Sequence, residues 1–147
     1  MLVEDQADFR HLIATLLGRQ QDLEVVAQAV SLAEARRDAA AVEFDVAVLD
    51  LGLPDGNGAD LIAELRRASP GVGVLILSAS LDAKNLKKTT DLGADEMLDK
   101  LAAPGDVLGA IKRIRTGKQP TPFDTTADTT QSATRRNGGQ PLARKSA

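Results

Sequence analysis

"VLDLGLPDGNG", Val48 to Gly58, carries an apolar run into an acid and then directly into glycine and proline. The run reads as a strand apolar enough to be covered on both faces, as central strands of parallel sheets are. Asp50 therefore leaves the sheet at a strand end, on a turn stiffened by Pro54 and crowded with Gly52, Gly56 and Gly58. Taken alone, such an acid is a cap and such a turn is only a turn. What the rest of the chain sets beside Asp50 decides between that reading and chemistry.

Working outward, "MLV" is a short strand, and Phe9, Leu12, Ile13, Leu16 and Leu17 recur at helical spacing after it. "LEVVAQAV", residues 23–30, reads as a second strand. Ser31 followed by Glu34 is a capping box that opens a helix. "FDVAVLDL" is the third strand, and a helix runs from about Ala59 to Ala68, closed by "SPG". "VGVLILSA" is the fourth strand, "DAKNLKKTTDLG" a polar helix stopped by Gly93, and "ADEMLD" a short fifth strand. Pro104 opens a last helix in which Val107, Leu108, Ile111 and Ile114 share a face, ending at Gly117. Five strands alternating with five helices through short connections imply one parallel sheet with right-handed crossovers, a doubly wound α/β fold. In such sheets the functional crevice lies outside the carboxyl ends of the strands.

Composition narrows the chemistry. The 147 residues fit one domain. Without cysteine there is no disulfide, thiolate metal site or cysteine nucleophile, and the single histidine, His11, reads as a solvated surface imidazole. No stretch reaches the roughly 20 apolar residues of a membrane span, and the start lacks the basic-then-apolar order of a signal peptide, so the expected location is the cytoplasm. Residues 1–117 carry 13 Lys and Arg against 19 Asp and Glu, a net charge of −6, which argues against binding a phosphate backbone. Residues 118–147 carry five against two, are rich in Thr, Gly, Pro and Ala, and show no apolar period. They are expected to form a disordered tail behind a domain spanning 1–117.

The strand ends hold Glu4 and Asp5, then Asp50, then Ser78, then Lys100. Three converging carboxylates repel one another unless a cation joins them. Few carboxylates with open water positions suit Mg²⁺. Lys100 adds a positive charge and Ser78 a hydrogen-bond donor. Such a rim receives an anion beside a metal, a phosphoryl group being the natural candidate, and a carboxylate can itself accept that group as an acyl phosphate.

Over residues 1 to about 117 the chain resembles the receiver domain of bacterial two-component response regulators, through "LVED", "VLDLGLPDGNG", "LILSA" and "GADEMLDK" in that order. The resemblance implies a flavodoxin-like sheet with strand order 2-1-3-4-5. It implies a phosphorylation-controlled switch or relay, no enzyme in its own right, that takes phosphate on Asp50 from a sensor histidine kinase or phosphotransfer protein. By the same resemblance Asp5 is a direct ligand of Mg²⁺, Glu4 acts on it through water, and the Gly52 carbonyl completes the protein ligands with Asp50. Ser78 is the switch hydroxyl, Lys100 pairs with the phosphoryl group, and Pro54 and Gly58 shape the turn. The implied downstream partner docks on the face of helix four, strand five and helix five, with the protein a monomer or a phosphorylation-dependent dimer. Lys84, Lys87 and Lys88 read as the wet side of a helix, with a docking face for an acidic partner as the alternative.

Two positions depart from the family pattern. Leu101 follows Lys100 where proline is usual in a cis bond; a non-proline cis bond is unfavourable by about 3 kcal/mol, so this loop is expected to run trans. Met97 stands where an aromatic switch residue is usual. These departures motivate a rival reading, a phosphorylation-independent interaction module. A third is the receiver part of a DNA-binding regulator separated from its helix-turn-helix domain. A haloacid-dehalogenase-like phosphatase would need a second acid two positions after the nucleophile, where this chain has Gly52. No phosphate-binding loop of the Gly-Lys-Ser/Thr type occurs. Strand one is expected to be short, since the acid pair stands so near Met1.

Overall fold

The computed structural model describes residues 1–117. Its elements in chain order are β1 (Leu2–Val3), α1 (Ala7–Gly18), β2 (Gln28–Ala29), α2 (Leu32–Ala41), β3 (Val46–Leu49), β4 (Gly52–Leu53), β5 (Gly56–Asn57), α3 (Ala59–Ala68), β6 (Gly73–Ser78), α4 (Ala83–Asp91), β7 (Glu96–Asp99) and α5 (Pro104–Thr116). Five strands make one parallel sheet in the order β2-β1-β3-β6-β7, which is 2-1-3-4-5 when the sheet strands alone are counted.

The central strands are apolar on both faces because both are covered. Along β6, Val74 and Ile76 join one core with Leu49, Ile62 and Leu65, while Leu75 and Leu77 join another with Ile13, Val107 and Ile111. The two-residue period of the strand thus sends alternate side chains to helices on opposite sides. α1 and α5 cover one face, and α2 and α3 the other.

Two local differences from the sequence expectation matter. Of the expected strand 23–30 only Gln28 and Ala29 are paired, since the partner strand β1 offers only Leu2 and Val3. The turn after Asp50 is itself a hairpin, with β4 antiparallel to β5 and Gly52 opposite Asn57. Its strands are too short to show a period. The capping box forms as expected: Ser31 Oγ accepts from Glu34 N at 3.2 Å, and Glu34 Oε2 accepts from Val30 N at 3.0 Å. Pro104 opens α5, and Gly117 closes it at φ 65°. The expectation for the tail concerns residues 118–147, outside those described.

Candidate functional site

Parallel pairing brings the carboxyl ends of β1, β3, β6 and β7 to one edge, and the residues singled out in the sequence follow from those ends. Glu4 follows β1, and its amide donates to the Ala29 carbonyl at 2.9 Å. Asp50 follows β3, its amide donating to the Val3 carbonyl at 3.0 Å. Ser78 is the last residue of β6, and its carbonyl accepts from Lys100 N at 3.2 Å, which ties the Lys100 loop to the sheet. Continued strand pairing therefore fixes these backbones before any side chain chooses a partner.

The side chains then form a charged knot that is largely sealed from solvent. Lys100 Nζ lies 2.7 Å from Glu4 Oε2 and 3.0 Å from Asp50 Oδ2. Glu4 is 2 % exposed and Asp50 6 %. Burying one cation between two carboxylates leaves net negative charge at a desolvated place, an unfavourable state unless something positive completes it. Burial pushes the Glu4 carboxyl above its usual value, against the downward pull of Lys100 and of the Gln6 amide. For Lys100, burial alone would lower the ammonium, but hydrogen bonds to Glu4 and Asp50 and their charges outweigh it and hold it above the ordinary lysine range.

Asp5 completes the acid group from the exposed side. One carboxylate oxygen from each of Glu4, Asp5 and Asp50 lies within 4.8 Å of the others. A set of hard oxygen donors at that spacing, open on one side, fits a divalent cation such as Mg²⁺. Asp50 Oδ1 also accepts the Gly52 amide at 3.3 Å, so both of its oxygens are held. Ser78 is buried, and its Oγ accepts from Ser80 N at 3.3 Å, which leaves its own O–H to donate.

Gly58 has a steric reason to be glycine. Its amide donates to the Leu51 carbonyl at 2.9 Å, and a Cβ there would run into the Asp50 carbonyl oxygen. Pro54 is exposed at the hairpin tip. Leu51 and Leu53 are buried on either side of Gly52, so the backbone carrying the Gly52 carbonyl is pinned by core packing.

Sequence reading missed three contributors. The Phe9 ring lies under Lys100 Nζ at 4.9 Å from its centroid, although its spacing marked it only as a core-facing helical residue. Gln6 donates its amide to Glu4 Oε1 at 2.9 Å and accepts from Lys100 Nζ at 3.4 Å. Arg10 Nη1 donates to the Glu4 carbonyl at 2.9 Å and to that of Asp5 at 3.5 Å, tying α1 to the loop that carries the acids. No periodicity links a strand-end acid to a helix residue six positions on.

The two departures also have visible consequences. The Lys100–Leu101 bond is trans, and Leu101 stands 93 % exposed while Lys100 still reaches Asp50. Met97 is half-buried, and its sulfur takes the hydroxyl of the fully buried Thr89 of α4. Lys87 and Lys88 pair with Asp91 and Asp60 at 2.6 and 3.3 Å, and His11 is exposed. Among the described residues no helix is long and apolar enough to cross a membrane.

The model of the family described as response regulator receiver domain matches residues 1–112. The chain is 34% identical over 117 residues to the DNA-binding transcriptional activator DevR/DosR of Mycobacterium tuberculosis, covering 80% of this chain and 54% of that protein. It spans about half the length of the curated relatives it matches. A LuxR-family two-component response regulator from Aurantimonas superposes with a TM-score of 0.76 at 28% identity, over 81% of this chain and 85% of the other. A Burkholderia pseudomallei response regulator solved with a phosphorylated aspartic acid and a calcium ion gives 0.71 at 28% identity, over 80% and 68%. Sequence, sheet order and these likenesses agree, and the chain belongs to the response regulator receiver domain family.

Proposed function

We propose that the protein is a phosphorylation-controlled signalling switch or relay in which Asp50 accepts a phosphoryl group from a phosphohistidine on a sensor kinase or phosphotransfer protein. The observation that supports this most is the environment of Asp50. Its carboxylate is buried at a strand end and held by Lys100 Nζ and the Gly52 amide, with the oxygens of Glu4 and Asp5 beside it. In this reading Glu4, Asp5, Asp50 and the Gly52 carbonyl hold Mg²⁺, with Glu4 acting through water. The ion, when bound, neutralises charge on the transferring group.

One carboxylate oxygen of Asp50 attacks phosphorus, the P–N bond to the donor histidine breaks, and the imidazole nitrogen keeps the electron pair. Lys100 then moves from the carboxylate to a phosphoryl oxygen, and the Ser78 hydroxyl donates to another. About −1.5 to −2 charge arrives at this edge, and the β6–α4 loop, which starts after Ser78 and carries Ser80, is the segment set to respond. Gly52 and Ser80 are small and exposed, leaving room for attacking water, so the acyl phosphate does not persist unusually long; persistence for many hours would contradict this. The output face is α4, β7 and α5, where Met97 bound to Thr89 replaces an aromatic switch. We place this receiver, residues 1–117, in the cytoplasm.

The test is incubation with Mg²⁺ and acetyl phosphate, followed by intact mass of wild type and Asp50→Asn. A phosphate-sized gain in wild type alone supports the reading. No gain in either folded protein favours the phosphorylation-independent module. A second reading, the receiver part of a longer DNA-binding regulator, is favoured by the 54% coverage of a relative named a DNA-binding transcriptional activator. The genomic sequence downstream tests it.

A further inference from the structure

The first turn of α2 is completed by a residue from the far side of the site loop. Its first two amides, Leu32 N and Ala33 N, donate to Asp55 Oδ1 and Oδ2 at 2.8 and 3.0 Å. The next, Glu34 N, goes to Ser31. The local capping box thus satisfies one helical amide, and a carboxylate 22 or 23 residues downstream satisfies two more, with its charge at the favourable end of the helix.

Asp55 sits at the tip of the β4–β5 hairpin, between Pro54 and Gly56. At the base of the same hairpin, Gly52 donates its amide to Asp50. Gly56 holds φ 151°, and a Cβ there would come 2.7 Å from Leu32 Cδ1, so the hairpin tip rests directly on the first residue of α2. The hairpin has only two paired residues in each strand and cannot hold its own shape. Leu51 and Leu53 anchor its base in the core; Asp55 is what anchors its tip.

We infer that Asp55 is a positioning residue for the metal site: by clamping the hairpin to α2 it fixes the Gly52 carbonyl and the Gly52 amide around Asp50. The inference rests on the proposed reading of Gly52 and Asp50 as metal ligands. Groups that orient ligands from outside the ligand set ordinarily change metal affinity by tenfold or more when removed. Asp55→Ala should therefore weaken Mg²⁺ binding by about tenfold. Asp55→Asn keeps one acceptor oxygen and should recover part of that loss.

The experiment is Mg²⁺ titration by calorimetry, with thermal unfolding in parallel, on wild type, Asp55→Ala, Asp55→Asn and Ser31→Ala. The last variant removes a cap from the same helix without touching the hairpin. The expected result is weakened Mg²⁺ binding in Asp55→Ala, intermediate binding in Asp55→Asn, and wild-type affinity in Ser31→Ala despite a lowered melting temperature. Should Asp55→Ala not fold, Asp55→Asn against Ser31→Ala carries the same comparison. Equal Mg²⁺ affinity in wild type and the Asp55 variants overturns the inference and leaves the metal site standing. Failure of wild type itself to bind Mg²⁺ overturns the metal site, and the inference with it.

Discussion

The two ends of the sheet differ in what they place around a buried charge. At the amino ends of the strands a cavity of ≈ 300 Å³ opens between Leu17, Val25, Phe44, Val46 and Ile111, with Asp22 and Arg115 at its rim. Its one buried cation, the Met1 ammonium, donates to the Val46 carbonyl at 2.8 Å. Burial pulls that group down to about 6, the charge of Asp45 offsetting only part of the effect. At the carboxyl ends Lys100 is half-buried, and Glu4 and Asp50 hold its pKa up. A cation placed among carboxylates stays charged, whereas one placed against a carbonyl in apolar surroundings sheds its proton more readily. The two ends thus differ in what surrounds their buried charge: at the amino ends a carbonyl faces the cation, and at the carboxyl ends two carboxylates do.

The contrast breaks most sharply at Lys100. Lys100→Met leaves Glu4 and Asp50 facing each other, and removing one partner of a buried ionic group is expected to lower stability by about 3 kcal/mol near neutral pH. The loss should shrink in acid, where Glu4, already raised by burial, takes a proton. Mg²⁺ should stabilise the variant more than wild type, because it replaces the missing charge. Denaturant unfolding with and without Mg²⁺ checks this; equal Mg²⁺ effects would detach Lys100 from the metal site.

A change at the other end sharpens the same comparison. Leu17 is buried beside this cavity, and Leu17→Ala should lower stability by about 2 kcal/mol through lost burial and enlarged empty space. Phosphate uptake from acetyl phosphate should be unchanged per folded molecule. A matching fall in uptake would show the two ends to be coupled.

The smallest effect is expected at Asp55. Hydrogen bonds from Leu32 N and Ala33 N hold its carboxyl below the ordinary 3.8, so it binds fewer protons folded than unfolded. Its stabilisation is therefore present above pH 3.8 and lost as pH falls through the folded value. The melting-temperature gap between wild type and Asp55→Asn should be constant near neutrality and close in acid. A gap that does not change with pH would remove the charge from the account of this cap.

What was legible in the sequence was local or tied to strand ends. Alternating apolar runs and helical periods pointed to a doubly wound sheet, because β3 and β6 are apolar on both faces, while the strand order came only from the family resemblance. The convergence of Glu4, Asp50, Ser78 and Lys100 followed from parallel pairing alone. The Ser31–Glu34 box was visible because its partners are three residues apart. Asp55 on α2, Phe9 under Lys100 and Arg10 on the Glu4 carbonyl were not visible, since each joins elements whose relative placement only the packed fold decides. The β4–β5 hairpin escaped because two-residue strands carry no alternation. The shortness of β2 was set by its partner β1 and not by its own apolar sequence.

In the proposed function one buried carboxylate at the charged end, Asp50, carries the phosphoryl group. The most direct measurement is borohydride trapping after acetyl phosphate treatment in Mg²⁺. Hydride reduces the acyl carbon, phosphate leaves, and the phosphorylated aspartate becomes homoserine, which peptide mass spectrometry locates. Phosphorylation of Asp50 is expected to give homoserine at position 50 alone. Homoserine at Asp5 or another aspartate, or none in a folded protein that binds Mg²⁺, would contradict it.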